Sequence, residues 1–180
     1  KDKFFLQKHN LKSDDSLLVL LPGSRQQEIN NHWPVFLETI FLMKEKLPSL
    51  RFCLVKSNNV IIKNIPDFII IESSVTNALK HGTAAISSSG TVNLECALAE
   101  IPTIVCYKTS YINWVIFKIF GKVDFISIVN LIAEEKIIPE LIQSEMTSKK
   151  IMPPLLEYLS PSSKKRKETI EKYKKIRTKL

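Results

Sequence analysis

Apolar residues along the chain come in two rhythms. The first is the short unbroken run. Leu17-Leu18-Val19-Leu20-Leu21, stopped by Pro22-Gly23, has no polar alternation, which is the pattern of a strand covered on both faces and therefore of a parallel sheet. Similar runs at 51–55, 68–71, 84–87 and 103–107 repeat it. The second rhythm is helical. Val35, Leu37, Ile40, Phe41, Met43 and Leu47 recur at helix spacing between Pro34 and Pro48, and a proline with its fixed φ and missing N–H suits the first turn of such a helix. Shorter helices are expected at 75–80 and 91–100. Residues 56–67, with Ser57-Asn58-Asn59 and Pro66, support a loop in place of a full helix, so one crossover is expected to be reduced. The polar lead-in 1–16 carries a short helix up to Leu11, closed by Ser13-Asp14-Asp15-Ser16. Residues 112–120 form an apolar, aromatic-rich helix candidate, 140–143 open a mixed segment, and 164–179 form a basic terminal helix. Strands alternating with helices predict a Rossmann-like, doubly wound α/β fold, whose ligands lie outside the carboxyl ends of the strands.

Composition narrows the classes. With 44% hydrophobic and 24% charged residues, wholesale disorder is excluded, and 180 residues suit one domain with a real core. The net charge of +8 raises the question of nucleic acid, and its distribution answers it. Residues 161–180 hold nine Lys/Arg against Glu168 and Glu171, while residues 1–160 are nearly neutral, with 17 basic and 16 acidic side chains. A domain-wide basic face is absent, so no nucleic-acid partner is expected. The chain divides accordingly into a domain at 1–160 and a basic helix at 161–180. That run reads as a solvated helix face, with attraction to an anionic membrane surface as the alternative. Trp114, Phe117 and Phe120 read as packing residues in the same sense, with bilayer contact as the alternative. No apolar run reaches the roughly 18 residues a membrane span requires. Cys53, Cys96 and Cys106 stand singly in apolar surroundings, which predicts buried reduced thiols with no metal. His9, His32 and His81 have no ligand spacing and are given neither a metal nor a catalytic role. Four glycines form no GxGxxG fingerprint and no P-loop.

Two turns carry chemistry. Pro22-Gly23-Ser24-Arg25, with Glu28 beyond, directly follows a buried strand: glycine lets the backbone turn tightly, and Arg25 offers a permanent charge for phosphate or carboxylate. Ser88-Ser89-Gly90-Thr91, followed by Glu95, is again a strand end leading into a helix. Its small residues and free N–H groups suit a diphosphate, and Glu95 one turn deeper can accept hydrogen bonds from a ribose diol. A capped helix with a solvent-facing glutamate is the plainer reading of the second turn. A surface arginine that pairs with Glu28 is the plainer reading of the first.

Together these motifs carry a family resemblance. Leu20-Leu21-Pro22-Gly23-Ser24-Arg25-Gln26-Gln27-Glu28 resembles the "LLPGSR…E" signature of lipid-A-disaccharide synthases, and Ser89-Gly90-Thr91-Val92-Asn93-Leu94-Glu95 is similar to their "SGTxxLE". Pro102-Thr103-Ile104-Val105-Cys106-Tyr107-Lys108, the stretch 126–130 and Pro139-Glu140-Leu141-Ile142-Gln143 resemble later motifs of the family in the same order, with Val129 where the family has proline. The resemblance covers roughly residues 5–175, matching the second half of a family member. It implies the C-terminal domain of a GT-B glycosyltransferase, holding the UDP of UDP-2,3-diacylglucosamine. It also implies 2,3-diacylglucosamine 1-phosphate as acceptor, inversion at the anomeric carbon, no cofactor or metal, and a setting in the bacterial cytoplasm, peripheral at the inner membrane. Gly23, Ser24, Arg25, Ser89, Gly90 and Thr91 would then face the diphosphate and Glu95 the ribose. Tyr107, Asn130, Glu140 and Gln143 would stand near the cleft. The catalytic base, unknown here, would belong with the acceptor site on an N-terminal partner domain, leaving this chain inactive alone. A non-catalytic nucleotide-sugar or phosphate-binding module is the alternative function.

Overall fold

The structure, a computed structural model, describes residues 3–109 and 125–179. The helix candidate at 112–120 lies outside them. Six parallel strands form one sheet: β1 (Leu17–Leu21), β2 (Arg51–Val55), β3 (Ile69–Glu72), β4 (Ala84–Ser88), β5 (Thr103–Tyr107) and β6 (Glu140–Ile142). Their spatial order is β3-β2-β1-β4-β5-β6. Chain direction across the sheet reverses between β1 and β4, and such a switch point opens a crevice at the carboxyl edge.

The alternation of strand side chains sorts the core into two layers. Leu18, Leu20, Phe52, Leu54, Ile86, Ile104 and Cys106 face one side, where they pack with Trp33, Phe36, Ile40 and Met43 of α2 (Gln26–Lys46) and Ile151, Leu155 and Tyr158 of a helix from the mixed segment. Leu17, Val19, Leu21, Cys53, Val55 and Ala85 face the other. There they meet Phe5 of α1 (Lys3–Lys8), Ala78 and Leu79 of α3 (Val75–His81) and Cys96 of α4 (Val92–Leu98). A third cluster joins Ala97 and Val105 to Val129 of α5 (Ile128–Ala133) and to Tyr173 and Ile176 of the last helix. With the intervening α6 (Ser148–Leu159), that basic helix becomes α7 (Lys164–Arg177). Far from standing free, α7 is anchored by buried Tyr173 and by the Arg166 guanidinium, which donates to the carbonyls of Thr83, at 2.6 Å, and Tyr158.

The positions of β1 to β5 agree with the hydrophobic runs to within a residue, β6 falls in the mixed segment where no strand is expected, and 56–68 is a loop without helix between β2 and β3. Two helices differ. The α2 helix begins at Gln26, so Pro34 sits in its third turn and not its first. Here Pro34 and Asn30, whose carbonyl it leaves without an i+4 donor, are both exposed, so the missing bond lies on a solvent-facing side where it costs little. The mixed segment contains the full helix α6, in spite of Pro153-Pro154 inside it. Lys149 and Lys150, whose carbonyls lose their donors, are exposed as well, while the opposite face buries Ile151, Leu155, Tyr158 and Leu159. Apolar burial of roughly 1.5–3 kcal/mol per such side chain outweighs two solvated gaps in a helical ladder. No helix among the described residues is long and apolar enough to cross a membrane.

Candidate functional site

A cleft of about 740 Å³ opens at the switch point. Its walls are the turn after β1 (Gly23, Ser24, Arg25, Glu28), the turn after β4 (Ser88 to Val92), the loop after β2 (Lys56 to Asn59), and Ser73 and Val75 beyond β3. Both turns singled out in the sequence therefore face one cavity, brought there by the direct pairing of β1 with β4.

The first turn is built from its glycine outward. Gly23 has φ +125°, a backbone shape that side chains resist, and a Cβ there would lie 2.3 Å from Glu28 Oε2. That carboxylate accepts from the N–H groups of Ser24, at 2.9 Å, and Arg25, at 3.2 Å. Glu28 thus caps the start of α2 and forms no ion pair with the Arg25 guanidinium. The Ser24 and Arg25 N–H groups of this turn are therefore held by Glu28 and are not open to a ligand. What the turn presents to the cleft is the Arg25 guanidinium, exposed and without an acidic partner among the described residues.

The second turn is the reverse case. Thr91 precedes α4 without any side-chain cap bond, so structural capping does not account for its hydroxyl. The N–H groups of Ser89, Gly90 and Thr91 have no protein acceptor among the described residues. Beneath them the buried Ser87 hydroxyl donates to Asn93 Oδ1, the Asn93 N–H donates to Gly90 O, and Ser89 Oγ donates to Ile126 O at 3.3 Å. The turn is held from below and open above. A Cβ built on Gly90 meets nothing within 4 Å, so nothing among the described residues requires a glycine. Lys56, at the carboxyl end of β2, adds a second cation to the cleft wall. Sequence reading passed over it, and its place directly after an apolar run was the available signal. Two cations against one already engaged carboxylate leave the cleft electropositive.

The remaining candidates lie elsewhere on the same edge. Glu95 is exposed on α4, one turn beyond Thr91, and is not part of the cleft wall. Asn130 is fully buried: its Oδ1 accepts from Ile137 N and Ile138 N, and its Nδ2 donates to Ile138 O and Glu140. Glu140 also accepts from Ile126 N and Ser127 N, fixing the entry to α5. Gln143, at φ +52°, accepts from Thr109 N at 3.3 Å while its buried Nε2 has no partner. Tyr107 ends β5 half-buried, paired in register with Ile142. These four cluster at the ends of β5 and β6, outside the cleft walls.

The chain and its fold have known counterparts. The profile of the lipid-A-disaccharide synthetase family matches residues 1–180. The chain belongs to that family. Among curated lipid-A-disaccharide synthases, that of Coxiella burnetii is 30% identical over 156 residues, covering 84% of this chain and 42% of the relative. The enzyme of Gloeothece citriformis is 32% identical over 184 residues, covering 97% and 48%. The chain therefore spans less than half the length of the synthases it matches. WaaG, described as a glycosyltransferase involved in lipopolysaccharide biosynthesis, superposes with a TM-score of 0.57 at 12% identity, over 98% of this chain and 45% of its own. At that identity the likeness is one of fold, the Rossmann-like half of a GT-B glycosyltransferase.

Proposed function

We propose that this chain is the donor-binding half of the lipid-A-disaccharide synthase, holding the UDP of UDP-2,3-diacylglucosamine while the sugar passes to 2,3-diacylglucosamine 1-phosphate. The observation that carries the reading is Gly90. Its φ is ordinary and its Cβ position is empty, so the glycine answers to something outside the protein that must approach the backbone closely. The N–H groups around it, with Arg25 and Lys56 on the facing walls, match a diphosphate. In the inverting reaction an acceptor hydroxyl attacks the anomeric carbon, the bond to the β-phosphate breaks, and charge develops on the departing UDP. Oriented N–H dipoles and fixed cations stabilise that charge. Glu95 in this reading holds the ribose.

A base and an acceptor held in line are also required. We place both on the part of the synthases that this sequence does not match, so residues 1–180 bind UDP but do not form disaccharide alone. The alternative of a non-catalytic nucleotide-binding module predicts the same binding and no turnover when a partner half is supplied. Gly90→Ala tests the site. It should leave the melting temperature unchanged or slightly raised, since replacing a compatible glycine stabilises by roughly 0.4–1 kcal/mol, yet weaken UDP binding in calorimetry by roughly tenfold, about 1.4 kcal/mol. Unchanged UDP affinity in a folded Gly90→Ala protein removes the site assignment.

A further inference from the structure

We propose that His32 is a positioning residue for the cleft: its ring ties the Pro22-Gly23 turn to the exit of β5 and fixes where Ser24 and Arg25 meet the donor diphosphate. This rests on the cleft being the nucleotide site. His32 lies in the second turn of α2 and is fully buried. Its Nδ1 stands 2.8 Å from Pro22 O and its Nε2 stands 3.1 Å from Lys108 N. A carbonyl can only accept and an amide N–H can only donate, so the bonds assign the neutral tautomer with the proton on Nδ1. Neighbouring Asn31 donates to Lys108 O at 3.0 Å, so α2 grips both backbone groups of Lys108.

The grip on the turn is equally complete. Pro22 has no N–H, and His32 satisfies its carbonyl. Glu28, one turn earlier on α2, takes the N–H groups of Ser24 and Arg25. One helix therefore holds the turn before Gly23 through His32 and after it through Glu28. An apolar ring of similar size could fill the space beside Phe36, which His32 packs against at 6.3 Å between centroids, but it would leave Pro22 O and Lys108 N–H without partners.

Protonation has a definite consequence. It places a second N–H on the ring against the Lys108 N–H and breaks that link. Burial holds the ring below its usual pKa of 6.5, aided by the Lys108 charge and opposed by the Pro22 carbonyl and Glu28. Those two side chains, one on α2 and one at the β5 exit, are the charged groups acting on it. The folded state thus binds its proton at lower pH than the unfolded chain. The bridge therefore stays intact until pH falls to the lowered folded value, while the stability it contributes, complete above 6.5, declines as pH falls below 6.5.

The test uses the 180-residue chain, with UDP-N-acetylglucosamine as probe because its diphosphate diester does not itself titrate near neutrality. At pH 7.5 His32→Phe should bind it roughly tenfold more weakly than wild type, as expected for one to two lost hydrogen bonds. His32→Gln, whose amide oxygen reaches the Lys108 N–H, should recover most of the difference. In NMR of the free wild-type protein the amides of Gly23, Ser24, Lys108 and Thr109 should shift on acidification with the midpoint of the His32 ring, and should not do so in His32→Gln. Wild-type affinity in a folded His32→Phe overturns the proposal, as do loop amides that stay still while the ring titrates. Ring protonation only on global unfolding would overturn it too, by making the bridge a support of the whole fold. Absence of probe binding by wild type would instead count against the nucleotide reading, leaving the ligand-free NMR result to judge the coupling.

Discussion

Replacing Gly23 by alanine separates the two glycine turns, because this glycine is demanded by the protein itself. At φ +125° the new Cβ would lie 2.3 Å from Glu28 Oε2 and 2.6 Å from Glu28 Cβ. Two outcomes are open: the backbone moves to a permitted φ, or it stays and Glu28 swings away. Holding a non-glycine residue in such a region costs roughly 1–3 kcal/mol. Displacing Glu28 forfeits its bonds to the Ser24 and Arg25 N–H groups, which are partly solvated and worth about 1 kcal/mol each. The combined loss is about 3–5 kcal/mol, or roughly 6–20 °C in melting temperature for a chain of this size. Thermal melts followed by circular dichroism measure it. Gly23→Ala combined with Glu28→Ala sharpens the test, since both single variants lose the same cap: the double variant should be less destabilised than the sum of the single ones. A Gly23→Ala protein melting within about 1 °C of wild type, or strict additivity, would refute the account of the turn.

Further outcomes follow from the same geometry. Asn130→Ala removes the acceptor of Ile137 N and Ile138 N and a donor to Glu140 inside the core, so a loss of about 3–4 kcal/mol is expected in denaturant unfolding; a loss under about 1 kcal/mol would mean that water replaces the amide. Burial pushes the thiols of Cys53 and Cys96 up to about 12 and that of Cys106 higher still. All three should therefore resist a thiol reagent at pH 8 in the native protein and react together on unfolding. Fast labelling of any one under native conditions would contradict its packing.

Much of this protein was legible along its sequence, and the reason is local. Strands buried on both faces must be apolar at every position, so β1, β2, β4 and β5 announce themselves. Turns at their ends need residues such as Gly23, Ser89 and Gly90, whose chemistry is visible one residue at a time. Helices tolerant of proline were less legible. Pro34 reads as a helix start, and the helix around Pro153-Pro154 is not anticipated, because sequence alone does not tell which face of a helix meets water, and on the solvent face a missing N–H is replaced cheaply.

The order of β1 to β5 with the helices among them, the reduced crossover at 56–67 and the two turns that bear the candidate site can be read from the chain alone, whereas α5, β6 and α6 cannot. How those turns are used depends on contacts made in three dimensions. Pairing β1 with β4 sets Gly23 and Gly90 on one cleft although 67 positions separate them. Glu28 takes the Ser24 and Arg25 amides of one turn while those of the other stay open, and Lys56 and His32 enter from the end of β2 and from α2 as partners that no motif marks. A hydrogen bond depends on where two groups meet in space. For His32 that meeting is with Lys108, 76 residues away, and it exists only once the sheet has brought the ends of β1 and β5 to the same edge.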